Sequence, residues 1–155
     1  MTKQLLLLLT VFLFFNPNSF GQQKCFQLND TANLGMSMYL LDKQYKWAMS
    51  DSSNNGAFTF QMTEKLFDAW LNFIDSLNKY LIKKDFKWHK DKKKNKVYSI
   101  AYFQPDGKFD YFFYDFRTPF SQEKQKEFQK LVEEFIKTYK LEITIRTLCK
   151  TLLIS

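Results

Sequence analysis

"KVYSIAYFQPDGKFDYFFYDF", residues 96–116, decides the fold. Its centre, "QPDGK", is a turn signal. Pro105 presets φ for the first corner, Asp106 suits the second, and Gly107 accepts the left-handed conformation of a bulged type I hairpin. Counting outward from that turn pairs Phe103 with Phe109, Ala101 with Tyr111 and Ser99 with Phe113 on one face. Tyr102 with Asp110, Ile100 with Phe112 and Tyr98 with Tyr114 fall on the other. Both faces carry large rings, whereas a half-buried strand alternates apolar with polar. Something has to meet the second face.

The flanks supply the other elements. Upstream, Leu66, Phe67, Trp70, Ile74, Leu77 and Leu81 form the apolar stripe of a helix over 63–84, with Thr63 as its cap. Lys65, Asp68, Asn72 and Asp75 face water. Before it, "AFTFQM", 57–62, reads as a short strand. Downstream, Thr118-Pro119 opens a second helix, with Ser121 as an alternative cap. Phe128, Leu131, Val132, Phe135, Ile136 and Tyr139 make its stripe, and Glu123–Lys126 and Lys130–Glu134 stand at helical contact spacing. "LEITIRTLC", 141–149, alternates again and predicts a last strand. Strand, helix, strand, strand, helix, strand is the α+β, ferredoxin-like split βαβ arrangement, an antiparallel sheet packed on two helices. Such a fold says nothing by itself about function.

Residues 1–21 read as a secretory signal peptide. Lys3 precedes the apolar run Leu5–Phe15, Asn16-Pro17-Asn18 breaks it, and Ser19 and Gly21 offer a cleavage site after Gly21. The run is too short to span a bilayer, and no later stretch is long enough to do so. Lys24 before Cys25 argues against a lipid-anchored export signal. The chain is therefore expected to be exported to the periplasm or beyond. Residues 22–56 form an N-terminal helical segment, with Leu34, Met38, Leu41, Tyr45 and Ala48 at helical spacing and Asp30 or Thr31 as its cap. "SDSSNNG", 50–56, is a loop, and 57–155 is the α+β domain. In an oxidising compartment Cys25 and Cys149 suggest a disulfide, the alternative being two separate thiols.

The second face then has two readings. In one, the N-terminal segment, with Met38, Tyr39 and Trp47, folds over it, and the Cys25–Cys149 bridge pins it there. In the other, Tyr98, Tyr102, Phe112, Tyr114 and Phe116 form an exposed platform for a partner. A chain this small rarely leaves so many rings unburied, which favours the cover.

Charge is unevenly placed. The chain carries a formal +7, and residues 79–96 hold nine lysines against Asp85 and Asp91. Lys84, Lys87, Trp88, His89, Lys90, Lys92, Lys93 and Lys94 are the candidate contact residues, with Tyr98, Tyr102 and Tyr114 second. A focused basic patch attracts anions, here an anionic glycan, a lipid head group or an acidic protein, and Trp88 could add stacking or cation–π contact. Two bland explanations compete: a solvated lysine loop, and lysines guarding an edge strand that begins at 96. Nucleic acid is set aside, because "GKFDYFFY" lacks the small residues of an RNA-binding strand.

Little points to catalysis, a metal or a cofactor. His89 is the only histidine, most simply an exposed loop residue. Glu133 and Glu134 are adjacent on a helix and point apart. No phosphate loop or calcium loop pattern is present. The sequence therefore predicts an exported binding or interaction module. A small envelope hydrolase with carboxylates that no motif singles out, and a structural or inhibitory envelope protein, are the competing classes.

Overall fold

The hairpin forms where the turn chemistry placed it. β3 (Val97–Phe103) and β4 (Phe109–Phe116) pair antiparallel around Gly107, which has a φ of 82°. The Gly107 amide donates to the Gln104 carbonyl at 2.9 Å, and the Gln104 amide to the Lys108 carbonyl at 2.8 Å. The structure, a computed structural model, describes residues 24–30, 34, 37–47, 60–145 and 147–154. The expected signal peptide and the 50–56 loop lie outside these residues.

The register departs from the simple count at one place. Phe103 faces Phe109, but Tyr102 faces Tyr111, so Asp110 is an extra residue in a β-bulge. Beyond it every pair is shifted by one: Ala101 meets Phe112, Ile100 meets Phe113 and Ser99 meets Tyr114. A one-residue shift moves side chains to the opposite face. Phe112, Tyr114 and Phe116 therefore join Phe109 on one side, while Tyr111 and Phe113 turn to the other. The exposed Tyr98–Tyr114 platform does not exist: Tyr102 and Tyr114 are buried in two different cores.

The other elements are β1 (Cys25–Gln27), α1 (Met38–Gln44), β2 (Lys46–Trp47), α2 (Phe60–Lys83), α3 (Gln122–Thr138) and β5 (Cys149–Ile154). The molecule is α+β. Its mixed sheet runs β1-β4-β3-β5-β2, with β1 parallel to β4, β2 parallel to β5, and the central pairs antiparallel. This order is not the ferredoxin-like one. The expected 57–62 strand is absent from 60–62, which open α2, and 57–59 lie outside the described residues. A six-residue segment with two phenylalanines fits the start of a helix as well as a strand. The two edges are taken instead by the short strands of the N-terminal segment, and β3 is interior rather than an edge.

The last strand is also displaced. Residues 141–145 bury Leu141, Ile143 and Ile145 alternately, as the pattern predicts. Yet they run across the hairpin tip: the Leu141 amide donates to the Gly107 carbonyl and the Ile145 amide to the Pro105 carbonyl. The strand proper begins at Cys149.

α2 and α3 pack on one sheet face. Phe73 sits at the centre of that core, its ring 4.8 Å from Phe109 and 5.9 Å from Phe112 and Phe135. Ser121, rather than Thr118, caps α3, its hydroxyl accepting from the Lys124 amide. Ser37, rather than Asp30 or Thr31, caps α1 in the same way. Thr63 falls inside α2.

The second face has its cover. Leu34, Leu41 and Tyr45 bury against Phe26, Tyr102 and Phe113, with Met38, Ile100 and Tyr111 around them. Tyr39 points away, 65% exposed. Polar groups tie the cover down. The Tyr45 hydroxyl donates to Asp110 at 2.7 Å, the Tyr102 hydroxyl to Asp42 at 2.8 Å, and the buried Lys150 ammonium lies 2.5 Å from the same Asp42 carboxylate.

No Cys25–Cys149 disulfide fastens this arrangement. Cys25 lies on β1 and Cys149 on β5, three strand spacings apart, about 14 Å. A disulfide needs the Cα atoms within roughly 7 Å. Both side chains are buried on the helix side. Burial pushes both thiols up, with the Glu133 charge adding to the effect at Cys25, so neither is an activated nucleophile.

Candidate functional site

The basic segment 84–96 is a folded loop. It begins with a left-handed residue, Asp85, at φ 62°. The Phe86 amide reaches back to the Leu81 carbonyl at 2.9 Å and the Asp85 amide to the Ile82 carbonyl at 2.9 Å. That is a Schellman stop, and it turns the chain back along α2. Phe86 is buried as the anchor, 5.6 Å from Phe128. Trp88 follows, edge-on to Phe86 at 5.0 Å, its indole N–H donating to Asn78 Oδ1 at 3.3 Å. His89 stacks flat on Phe120, 3.9 Å away at 11°.

Asn95 closes the loop. Its Oδ1 accepts the His89 amide at 2.9 Å and its Nδ2 donates to the His89 carbonyl at 3.0 Å. Between these two residues, Lys92–Lys94 form one turn of 3-10 helix, and the Asp91 carboxylate accepts from the Lys93 amide. Lys90, Lys93 and Lys94 project from this frame into solvent.

The lysines are not equivalent. Lys79 pairs with Asp75 at 2.6 Å, Lys87 pairs with Asp85, and Lys84 lies 3.6 Å from Glu134 with its ammonium 5.4 Å from the Tyr80 ring centre. The Tyr80 hydroxyl donates to Glu134 at 3.0 Å and, with Lys84 assisting, holds that carboxyl below its usual range despite slight burial. Lys83, Lys90, Lys93, Lys94 and Lys96 make no ion pair among the described residues. Five lysines without an ion pair thus stand together on the loop and the end of α2, while Lys43, Lys46, Lys65, Lys126 and Lys130, also without one among the described residues, are spread over the rest of the fold.

The candidate residues divide accordingly. Lys90, Lys93 and Lys94 form an exposed group, and Lys84 and Lys87 sit beside it with acidic partners. The side chain of Lys92 lies outside the described atoms. Trp88 is a packing anchor rather than a presented ring, and His89 is half-buried rather than exposed. Tyr98 is half-buried, on the cover side with Tyr102. Tyr114 lies on the helix side, donating its hydroxyl to the Gln125 carbonyl at 3.1 Å. The tyrosines and the lysines do not form one surface.

A groove of about 710 Å³ runs beside the loop, between α2 and the start of β3. Sequence reasoning missed it. Its α2 wall includes Leu71, Ile74 and Ile82, which with Phe67 form a second apolar stripe one position over from the buried one. Phe67 is 56% and Ile82 61% exposed. The opposite wall is Trp88, His89, Lys90 and Asn95, and Val97 and Ser99 lie beneath. Two ring nitrogens of the lining, Trp70 Nε1 and His89 Nε2, are buried without a hydrogen-bond partner among the described residues. A sequence signal for the groove was present in the spacing of Phe67, Leu71, Ile74 and Ile82, which exceeds what one buried stripe requires.

Among the described residues no cluster of His, Cys, Asp and Glu is arranged to hold a metal ion, and no helix is long and apolar enough to cross a membrane. Comparison with protein-family models, with curated proteins and with solved structures finds no match to this chain.

Proposed function

We propose that this chain is an exported binding module that contacts an anionic partner through the Lys-rich 79–96 segment. One observation carries the reading: Lys90, Lys93 and Lys94, exposed and without an ion pair among the described residues, stand together on a loop held from within by Asn95, Asp91 and the Phe86 anchor. A solvated lysine run needs no such frame. Guarding an edge strand is not an alternative either, because β3 is paired on both sides. Fixing several cations in one place costs self-repulsion, and an anion relieves it.

The test is retention on an anionic resin at low salt. Replacing Lys92, Lys93 and Lys94 with Glu lowers the eluting salt concentration sharply if the loop is the contact surface. Elution at an unchanged concentration overturns the proposal.

A further inference from the structure

We infer that the groove between α2 and the basic loop takes a single-chain anionic amphiphile, a long-chain carboxylate, with its tail along α2 and its head at the lysines. The inference rests on the anion-binding reading of the loop and adds the class of ligand. Three observations carry it.

The first is the doubled apolar stripe of α2. Burying one stripe on the sheet accounts for Leu66, Trp70, Phe73, Leu77 and Leu81. It does not account for Phe67, Leu71 and Ile82, which stay about half exposed in the structure. The groove brings Leu71 and Ile82 together with Ile74, two helical turns and more of apolar wall, which is the shape an extended acyl chain covers.

The second is charge placement. Lys90 is part of the groove wall, and Lys83, Lys93, Lys94 and Lys96 belong to the same loop and helix end. None of these five is neutralised by an ion pair among the described residues. Asp75, the acid of the lining, is paired with Lys79. A neutral apolar ligand leaves this charge unanswered; an anion without a tail leaves the apolar wall in water. A carboxylate on a long chain satisfies both, by charge complementarity at one end and burial at the other.

The third is the state of the polar lining. The Asn78 side-chain oxygen and both amide atoms of Asn95 are already engaged by Trp88 and His89. His89 Nε2, on the loop wall beside Lys90, is not. That ring nitrogen donates when it carries the proton, so the head-group end of the lining has spare capacity for an acceptor oxygen.

The experiment uses tryptophan emission, since Trp70 and Trp88 line the groove. The probe is a dibrominated stearate, whose bromines quench tryptophan on contact. Saturable quenching is expected for this carboxylate, with at least tenfold weaker binding for its methyl ester. The charge-neutral pair Leu71→Gln and Ile82→Gln, at exposed positions that do not threaten folding, lowers affinity at least about tenfold and leaves elution from the anionic resin unchanged. No saturable quenching, or equal affinity for acid and ester, overturns the amphiphile inference. If resin retention still depends on Lys92, Lys93 and Lys94, the anion-binding reading survives that result; if it does not, both fall. Sedimentation with vesicles of anionic lipid, unaffected by the Leu71/Ile82 pair, would assign the loop to a membrane surface and likewise reject the groove as the site.

Discussion

Gly107 is where turn conformation and tertiary packing meet. Its φ of 82° suits glycine, and a Cβ there would stand 2.2 Å from the Leu141 carbonyl oxygen. Gly107→Ala is expected to lower stability by about 2 kcal/mol or more, measured as the urea midpoint. Asp85 presents the opposite case. It holds a left-handed conformation at a helix end where glycine costs less, so Asp85→Gly is expected to raise stability by about 1 kcal/mol. The buried phenols add a pH dependence. Burial raises the Tyr45 and Tyr102 hydroxyls well above their ordinary value, reinforced by donation to Asp110 and Asp42 respectively. In the unfolded chain these groups ionise near pH 10, while the folded chain keeps them protonated. The stability they contribute is complete below about pH 10 and is lost as pH rises beyond it. Urea midpoints at pH 8 and pH 11 check the sign: the second must be lower. At this scale the sequence was informative about Gly107, because turn chemistry is local. It was silent about Asp110, whose bulge is stabilised by Tyr45 and Gln104, partners that only the fold brings close.

At the level of elements, α1 is a cover held by one apolar contact set, one half-buried ion pair and the hydrogen bond from Tyr102 to Asp42. Leu41 is completely buried against the second face. Leu41→Ala is expected to cost about 2–4 kcal/mol and to raise the binding of an apolar dye, because Tyr102 and Phe113 lie beneath. Asp42 and Lys150 behave asymmetrically. Asp42→Ala removes both the carboxylate facing a buried ammonium and the acceptor of the Tyr102 hydroxyl. Lys150→Met leaves only a half-exposed carboxylate, which water solvates. Thermal unfolding should therefore show a larger loss for Asp42→Ala than for Lys150→Met. The helices were legible because a 3.6-residue stripe repeated over several turns is hard to mistake. The short strands were not. Cys25–Gln27 is three residues long, and its pairing with β4 is a tertiary event with no periodic mark. The segment 141–145 shows the limit of alternation, which reports burial on one side but not membership of a sheet.

For the whole molecule, the question raised by the two ring-bearing strands is answered by a bulge and a cover together. The bulge distributes the rings of β4 between two cores, and the N-terminal segment closes the second. Tyr39, Leu40 and Leu152 stay half exposed or more around that cover, and the basic loop with the groove beside it is open elsewhere. The loop was legible from composition, because nine lysines fall in one short segment. Which of them remain unpaired was not, since Glu134, on a different helix, neutralises Lys84. In the proposed function the position of this charge, rather than its total, makes the contact surface. The most direct measurement compares two triple variants of equal net charge on an anionic resin: Lys92, Lys93 and Lys94→Glu against Lys65, Lys126 and Lys130→Glu. The loop variant is expected to elute at much lower salt while the other stays close to the wild type. Equal elution of the two variants would contradict the proposal.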